Sequence, residues 1–181
     1  MDDNVRNTLL GNRETLMQLS EDKTNHAFMT LSKLRALDFD KIKTQYTQFF
    51  HLPEDEIHSV DAILCSNAFD LKNAYNCFVE FKNGDFKSSD IIGKAKDSLL
   101  IFCDLVKCTI SDTREHSVFI LVYNPEKKTI DSRDKIHFYV EKPAGGKYVP
   151  FKLRILKLFF SDIKAFTQQE FEKFLVQKFG C

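Results

Sequence analysis

Six successive apolar residues, Val118-Phe119-Ile120-Leu121-Val122-Tyr123, closed by Asn124-Pro125, constrain this chain more than any other stretch. A strand with one wet face alternates apolar and polar side chains, so a run with no polar member has to be covered on both faces. The run therefore predicts an interior strand of an α/β fold, a mixed β-sheet core flanked by helices. Its cover must be apolar too, and 18 Phe with 5 Tyr and no Trp among 181 residues predict dense packing led by phenylalanine. An apolar content of 43% is enough for one core, while 6 Gly and 4 Pro exclude collagen-like and linker-rich classes.

The covering helices have their own signals. Ile91, Ala95, Leu99, Phe102 and Val106 recur at helical spacing behind Lys87-Ser88-Ser89-Asp90, where the serines offer caps. In residues 1–50 the apolar positions Leu9, Leu10, Leu16, Met17, Leu19, Phe28, Leu31, Leu34 and Leu37 predict a helical N-terminal segment, ended by Leu52-Pro53-Glu54. Residues 59–65 (SVDAILC) and 75–82 (YNCFVEFK) are short, rich in β-branched or aromatic side chains, and separated by the turn formers Asn67, Asp70 and Asn73. They predict a hairpin. Residues 151–160 have a strand-like mix, with Leu156 to Phe160 assigned to packing, and Thr167-Gln168-Gln169-Glu170 resembles a capping box opening a last helix over 168–178. The expected organisation is a single domain, with residues 1–50 packed on an α/β core of residues 51–181. The Pro/Gly punctuation Lys142-Pro143-Ala144-Gly145-Gly146-Lys147 is the best candidate boundary, and reads as a turn, since it lacks the strand-loop-helix context of a phosphate-binding loop.

Charge and cysteine usage narrow the function classes. Lys plus Arg and Asp plus Glu are both 26, so no global field draws the chain to a polyanion or a membrane. The net charge runs −5, +1 and +4 over residues 1–80, 81–140 and 141–181, a modest C-terminal excess that a solvated lysine face explains. Cys65, Cys77, Cys103, Cys108 and Cys181 are odd in number and form no C-x-x-C pair, which predicts reduced thiols in a cytoplasm and no structural zinc. Cys103 and Cys108, five apart, are awkwardly placed to share a helical face. The histidines His26, His51, His58, His116 and His137 show no pairing spacing. No signal peptide is recognisable, and no apolar stretch approaches the roughly 18 residues of a membrane span.

The residues that carry chemistry are Asp61, Glu80 and Lys82. Side chains two apart in a strand share a face, so Glu80 and Lys82 project together while Phe81 points away. With the hairpin turn centred between Asp70 and Leu71, Asp61 falls opposite Glu80, where facing Cβ atoms lie about 4.5–5.5 Å apart. Two carboxylates so placed repel unless a cation joins them or one is protonated. Hard oxygen ligands from Asp61 and Glu80, with the Phe81 carbonyl and waters, suit Mg²⁺ or Mn²⁺, and Lys82 is then placed to orient an attacking water or neutralise growing charge. That chemistry is phosphodiester hydrolysis.

At these positions the chain resembles the PD-(D/E)xK nuclease superfamily, whose signature places an Asp on one strand and Glu-x-Lys on the next, followed by a helix and another strand. The match runs through Val60-Asp61-Ala62, Val79-Glu80-Phe81-Lys82-Asn83-Gly84, the 91–106 helix and the 118–123 strand, with Val60 where the motif has its proline. The resemblance implies a restriction-endonuclease-like fold and metal-dependent cleavage of DNA or RNA, with Asp61, Glu80 and Lys82 catalytic and Asp61, Glu80 and Phe81 holding Mg²⁺ or Mn²⁺. It also implies an acidic residue from the first helix, for which Glu14, Glu21 and Asp40 stand open together with Glu54 and Glu56. A polar residue is expected from the following helix: Lys94, Asp97 or Ser98. The alternative is a catalytically idle nuclease-like fold serving as a protein-interaction or nucleic-acid-binding module, with a protein partner or a second copy of the chain, which the zero net charge motivates.

Overall fold

Strand alternation and the length of the apolar runs set the layers. The computed structural model describes residues 3–127 and 151–180; the 142–147 boundary, His137 and Cys181 lie outside them. In chain order the described helices and strands are α1 (Asp3–Leu10), β1 (Arg13–Thr15), α2 (Leu16–Leu19), β2 (Glu21–Asp22), β3 (Ala27–Phe28), β4 (Arg35–Asp38), α3 (Phe39–Phe50), β5 (Ala62–Cys65), β6 (Asn76–Lys82), α4 (Ser88–Val106), α5 (Ile110–His116), β7 (Ser117–Tyr123), β8 (Asp162–Thr167) and α6 (Gln168–Phe179). Among the described residues six strands form one mixed sheet in the order β1-β4-β5-β6-β7-β8, and β2 and β3 form a separate small hairpin. β1, β4, β5 and β6 pair antiparallel, while β6, β7 and β8 run parallel. The fold is α/β, a mixed sheet between helical layers.

β7 is the interior strand its sequence predicts, buried along its length between β6 and β8. Its alternate residues divide the core in two. Phe119 and Leu121 join Ile63, Phe78, Ile91, Ala95, Leu99, Phe102 and Phe160 under α3 and α4. Val118, Ile120 and Val122 join Leu64, Val79, Phe81, Phe166, Phe171 and Phe174 under α6. Aromatic edges interlock on both sides, with Phe78 centred 5.2 Å from Phe102 and 5.1 Å from Phe160, and Phe81 5.8 Å from Phe171. These separations suit edge-to-face packing.

Three expectations are corrected. Residues 1–50 hold α1, α2 and α3 but also β1 and β4, so the sheet itself crosses the expected limit at residue 50. Leu31 and Leu34 lie in the loop before β4, where Leu31 is exposed. Residues 151–158 form a 3-10 helix instead of a strand, and the eighth strand starts only at Asp162. That segment packs Leu153, Leu156 and Phe160 under the sheet at every third to fourth position, a helical spacing. Finally, Lys87 is the N-cap of α4 and makes no side-chain cap bond, so the serines begin the helix without capping it. The capping box at Thr167 and Glu170 is present, with Thr167 N–H to Glu170 Oε2 at 2.8 Å. None of the described helices is long and apolar enough to cross a membrane.

Candidate metal centre

The β5–β6 hairpin positions the acids. Its register pairs Ala62 with Val79 and Ile63 with Phe78, the alignment that sets Asp61, one residue before β5, across from Glu80. β5 begins only at Ala62 because the Asp61 side chain replaces the next ladder bond: Phe81 N–H donates to Asp61 Oδ2 at 2.6 Å. The Asp61 carbonyl accepts from Phe39 N–H at 3.3 Å, which ties the same residue to the start of α3.

Glu80 has no exposed surface although it lies mid-strand among apolar neighbours. Two ammoniums converge on one of its oxygens: Lys82 Nζ at 2.7 Å and Lys94 Nζ at 2.8 Å from Oε1. Lys94 also approaches Asp61 Oδ1 at 3.8 Å, so it stands between the two carboxylates. Among the described residues the other oxygen, Glu80 Oε2, is buried without a hydrogen-bond partner. A buried carboxyl oxygen left unpaired is costly, and an ordered water or an ion would satisfy it.

The electrostatics agree. Burial, and next the charge of Glu80, raise the Asp61 carboxyl well above the ordinary aspartate value; Lys94 and the Phe81 N–H oppose them incompletely. At Lys94 burial pulls toward the neutral amine, but Glu80 and Asp61 outweigh it and the ammonium is held more firmly than usual. Two carboxylates and two ammoniums therefore share one partly buried spot.

All three predicted residues, Asp61, Glu80 and Lys82, are thus brought together. The structure also narrows the choices left open. Lys94 is the helix residue that reaches the site, whereas Asp97 and Ser98 hold the strand entry: Asp97 Oδ2 accepts from His58 N–H at 3.0 Å, and Ser98 Oγ from Val60 N–H at 2.8 Å. Among the candidate acids, Asp40 in the first turn of α3 is the one whose charge raises Asp61 and Lys94, and its Oδ1 accepts from Ser59 Oγ at 2.5 Å. Glu14 and Glu54 are engaged by Lys41 and Lys43, each at 3.4 Å, and Glu56 is exposed in the 3-10 turn Glu54–Glu56. Glu21 lines a cavity of about 230 Å³ that reaches Asp61, Phe81 and Lys82.

No set of three or more His, Cys, Asp or Glu side chains among the described residues is spaced to hold a metal ion. A small hard cation does not require one, since Mg²⁺ is commonly bound by one or two carboxylates with waters completing the shell. In an extended strand the N–H and C=O of a residue leave toward the same edge, so the Phe81 carbonyl lies on the Asp61 side, beyond the last β5 pair. Asp61, Glu80 Oε2, which has no partner among the described residues, and that carbonyl are a donor set of the right chemistry. Compared with protein-family models, curated proteins and solved structures, the chain gives no match.

Proposed function

We propose that this protein is a divalent-metal-dependent nuclease hydrolysing phosphodiester bonds of DNA or RNA. The observation that carries the reading is Glu80 Oε2, buried without a hydrogen-bond partner among the described residues, opposite an Asp61 whose anion burial and then Glu80 disfavour. Asp61, Glu80 and the Phe81 carbonyl would hold Mg²⁺ or Mn²⁺, which supplies a bound water of lowered pKa and positive charge for phosphoryl oxygens. Asp40, Asp61 and Glu80 leave the two ammoniums no excess of positive charge at the site, so attraction for a phosphodiester requires that added charge. Lys82, 27% exposed in its side chain, is the ammonium placed to face a substrate and to orient the attacking water. Lys94 and the Phe81 N–H keep the two carboxylates facing one another. The thiols, free at Cys65, Cys77, Cys103 and Cys108, suit the cytoplasm.

One observation favours a second reading. The Lys94 ammonium already lies between Glu80 and Asp61, a protein-supplied cation where a metal would bind, and that suits an idle fold used for binding a protein or a nucleic acid. The full chain, freed of metal and then given Mg²⁺ or Mn²⁺, separates the two when incubated with single- and double-stranded DNA and RNA. The nuclease reading expects metal-dependent cleavage that Lys82→Ala and Glu80→Gln abolish while the variants keep their circular dichroism. Cleavage that persists in both variants, or an inert wild type with no thermal stabilisation by either metal, overturns it.

A further inference from the structure

Side chains five residues apart lie on different faces of a continuous helix. At Cys103 and Cys108 the helix is not continuous. α4 ends at Val106, Lys107 turns left-handed with φ 55°, and the Cys108 N–H returns to the Cys103 carbonyl at 3.1 Å. The far side is clamped as well, because Thr109 opens α5 with a reciprocal capping box, its N–H donating to Asp112 Oδ2 at 2.7 Å. Between these two helix ends the thiols meet, Sγ to Sγ 3.5 Å, both half-buried.

We propose that Cys103 and Cys108 form a redox-active dithiol, a modification site that a low-molecular-weight disulfide such as oxidised glutathione closes into an intramolecular disulfide across the C-terminal turn of α4. Closure to a bond of about 2.05 Å needs only a small approach from the present contact. The two sulfurs differ in character. The sulfur–sulfur contact with Cys103 holds the Cys108 thiol below its usual value, with a smaller contribution from Lys72, against burial and Asp112; the same contact and burial push Cys103 up. Cys108 is therefore the attacking thiolate. It attacks one sulfur of the external disulfide and expels the first thiolate, forming a mixed disulfide. Cys103 then gives up its proton and attacks Cys108 Sγ, expelling the second thiolate. The two protein thiols lose two electrons and two protons, and the external disulfide gains both and leaves as two thiols. Among the described residues Cys65 and Cys77 have no such partner arrangement, and burial raises both thiols, Cys65 to about 12.

The test uses the full reduced chain treated with excess oxidised glutathione, read by intact mass and by peptide mapping after alkylation in denaturant. The expected product has lost two hydrogens, with the bond mapped to Cys103 and Cys108. Cys103→Ser stops at a single glutathione adduct on Cys108, and Cys108→Ser reacts about tenfold more slowly at this turn. A bond mapped to another pair, a cross-link between chains, or complete alkylation of both thiols after oxidation overturns the proposal. The wild-type mapping decides it even where a serine variant folds poorly.

Discussion

Glu80 is held inside the sheet by Lys82 and Lys94, which both reach Oε1, and the two lysines are not equivalent. Lys82 comes from the next same-face position of β6, so strand alternation alone brings it; Lys94 comes from α4 and holds Asp61 as well. Removing Lys94 leaves two crowded carboxylates with one ammonium. Lys94→Met is expected to destabilise the fold by about 2 kcal/mol in urea titrations, and by clearly less when Glu80→Gln is already present. Asp61 gives a pH signature. Its raised value means the folded state binds its proton more tightly than the unfolded chain, so stability falls as pH rises from the ordinary aspartate range through the folded value. Asp61→Asn should remove that decline, checked as the pH dependence of the thermal midpoint, with the largest gain over wild type above the window. The spacing of Asp61, Glu80 and Lys82 was readable in the sequence because a two-residue period and a hairpin register are local. Asp40 and Lys94 were readable only as open candidates among others, since singling out each depends on how a helix docks onto the sheet.

Elements were legible in proportion to their length and regularity. α4 and β7 have long unbroken apolar patterns, and the last helix advertises its start through Thr167 and Glu170. Replacing Thr167 with Ala removes the hydroxyl that accepts from Glu170 N–H and should cost about 1 kcal/mol, measured as a shift in the denaturation midpoint. β1 and β4, of 3 and 4 residues, are too short to display a period, and the nearby leucines divide between α2, which holds Leu16 and Leu19, and β4, which holds Leu37. α5 was missed for a related reason. Its sequence ISDTREH is polar, and its signal is the capping box at Thr109 rather than an apolar stripe. The dithiol turn escaped because a left-handed Lys107, not a sequence period, folds Cys108 back over Cys103.

At the scale of the molecule the two ends of the chain are stitched together. Glu172 of α6 accepts from Thr30 Oγ1 and, at 3.0 Å, from Leu31 N–H, while Gln168 Nε2 donates to the Phe28 carbonyl at 2.7 Å. With β1 and β4 forming one side of the sheet, residues 1–50 are structural members of it. Deleting residues 1–38 is expected to bare the β5 edge and yield aggregated or unfolded chains, judged by size-exclusion chromatography and circular dichroism. The stitch also sets a schedule. Thr30 leaves the ribosome well before Glu172, 142 positions later, and at about 5–20 residues per second the wait is on the order of 10 s. For that interval the β2–β3 hairpin lacks its α6 contacts and is tied to the sheet through Asn83, 61 positions after Asp22, whose Nδ2 donates to Asp22 Oδ2 at 2.8 Å, so the early chain is held locally before the final helix arrives to seal it.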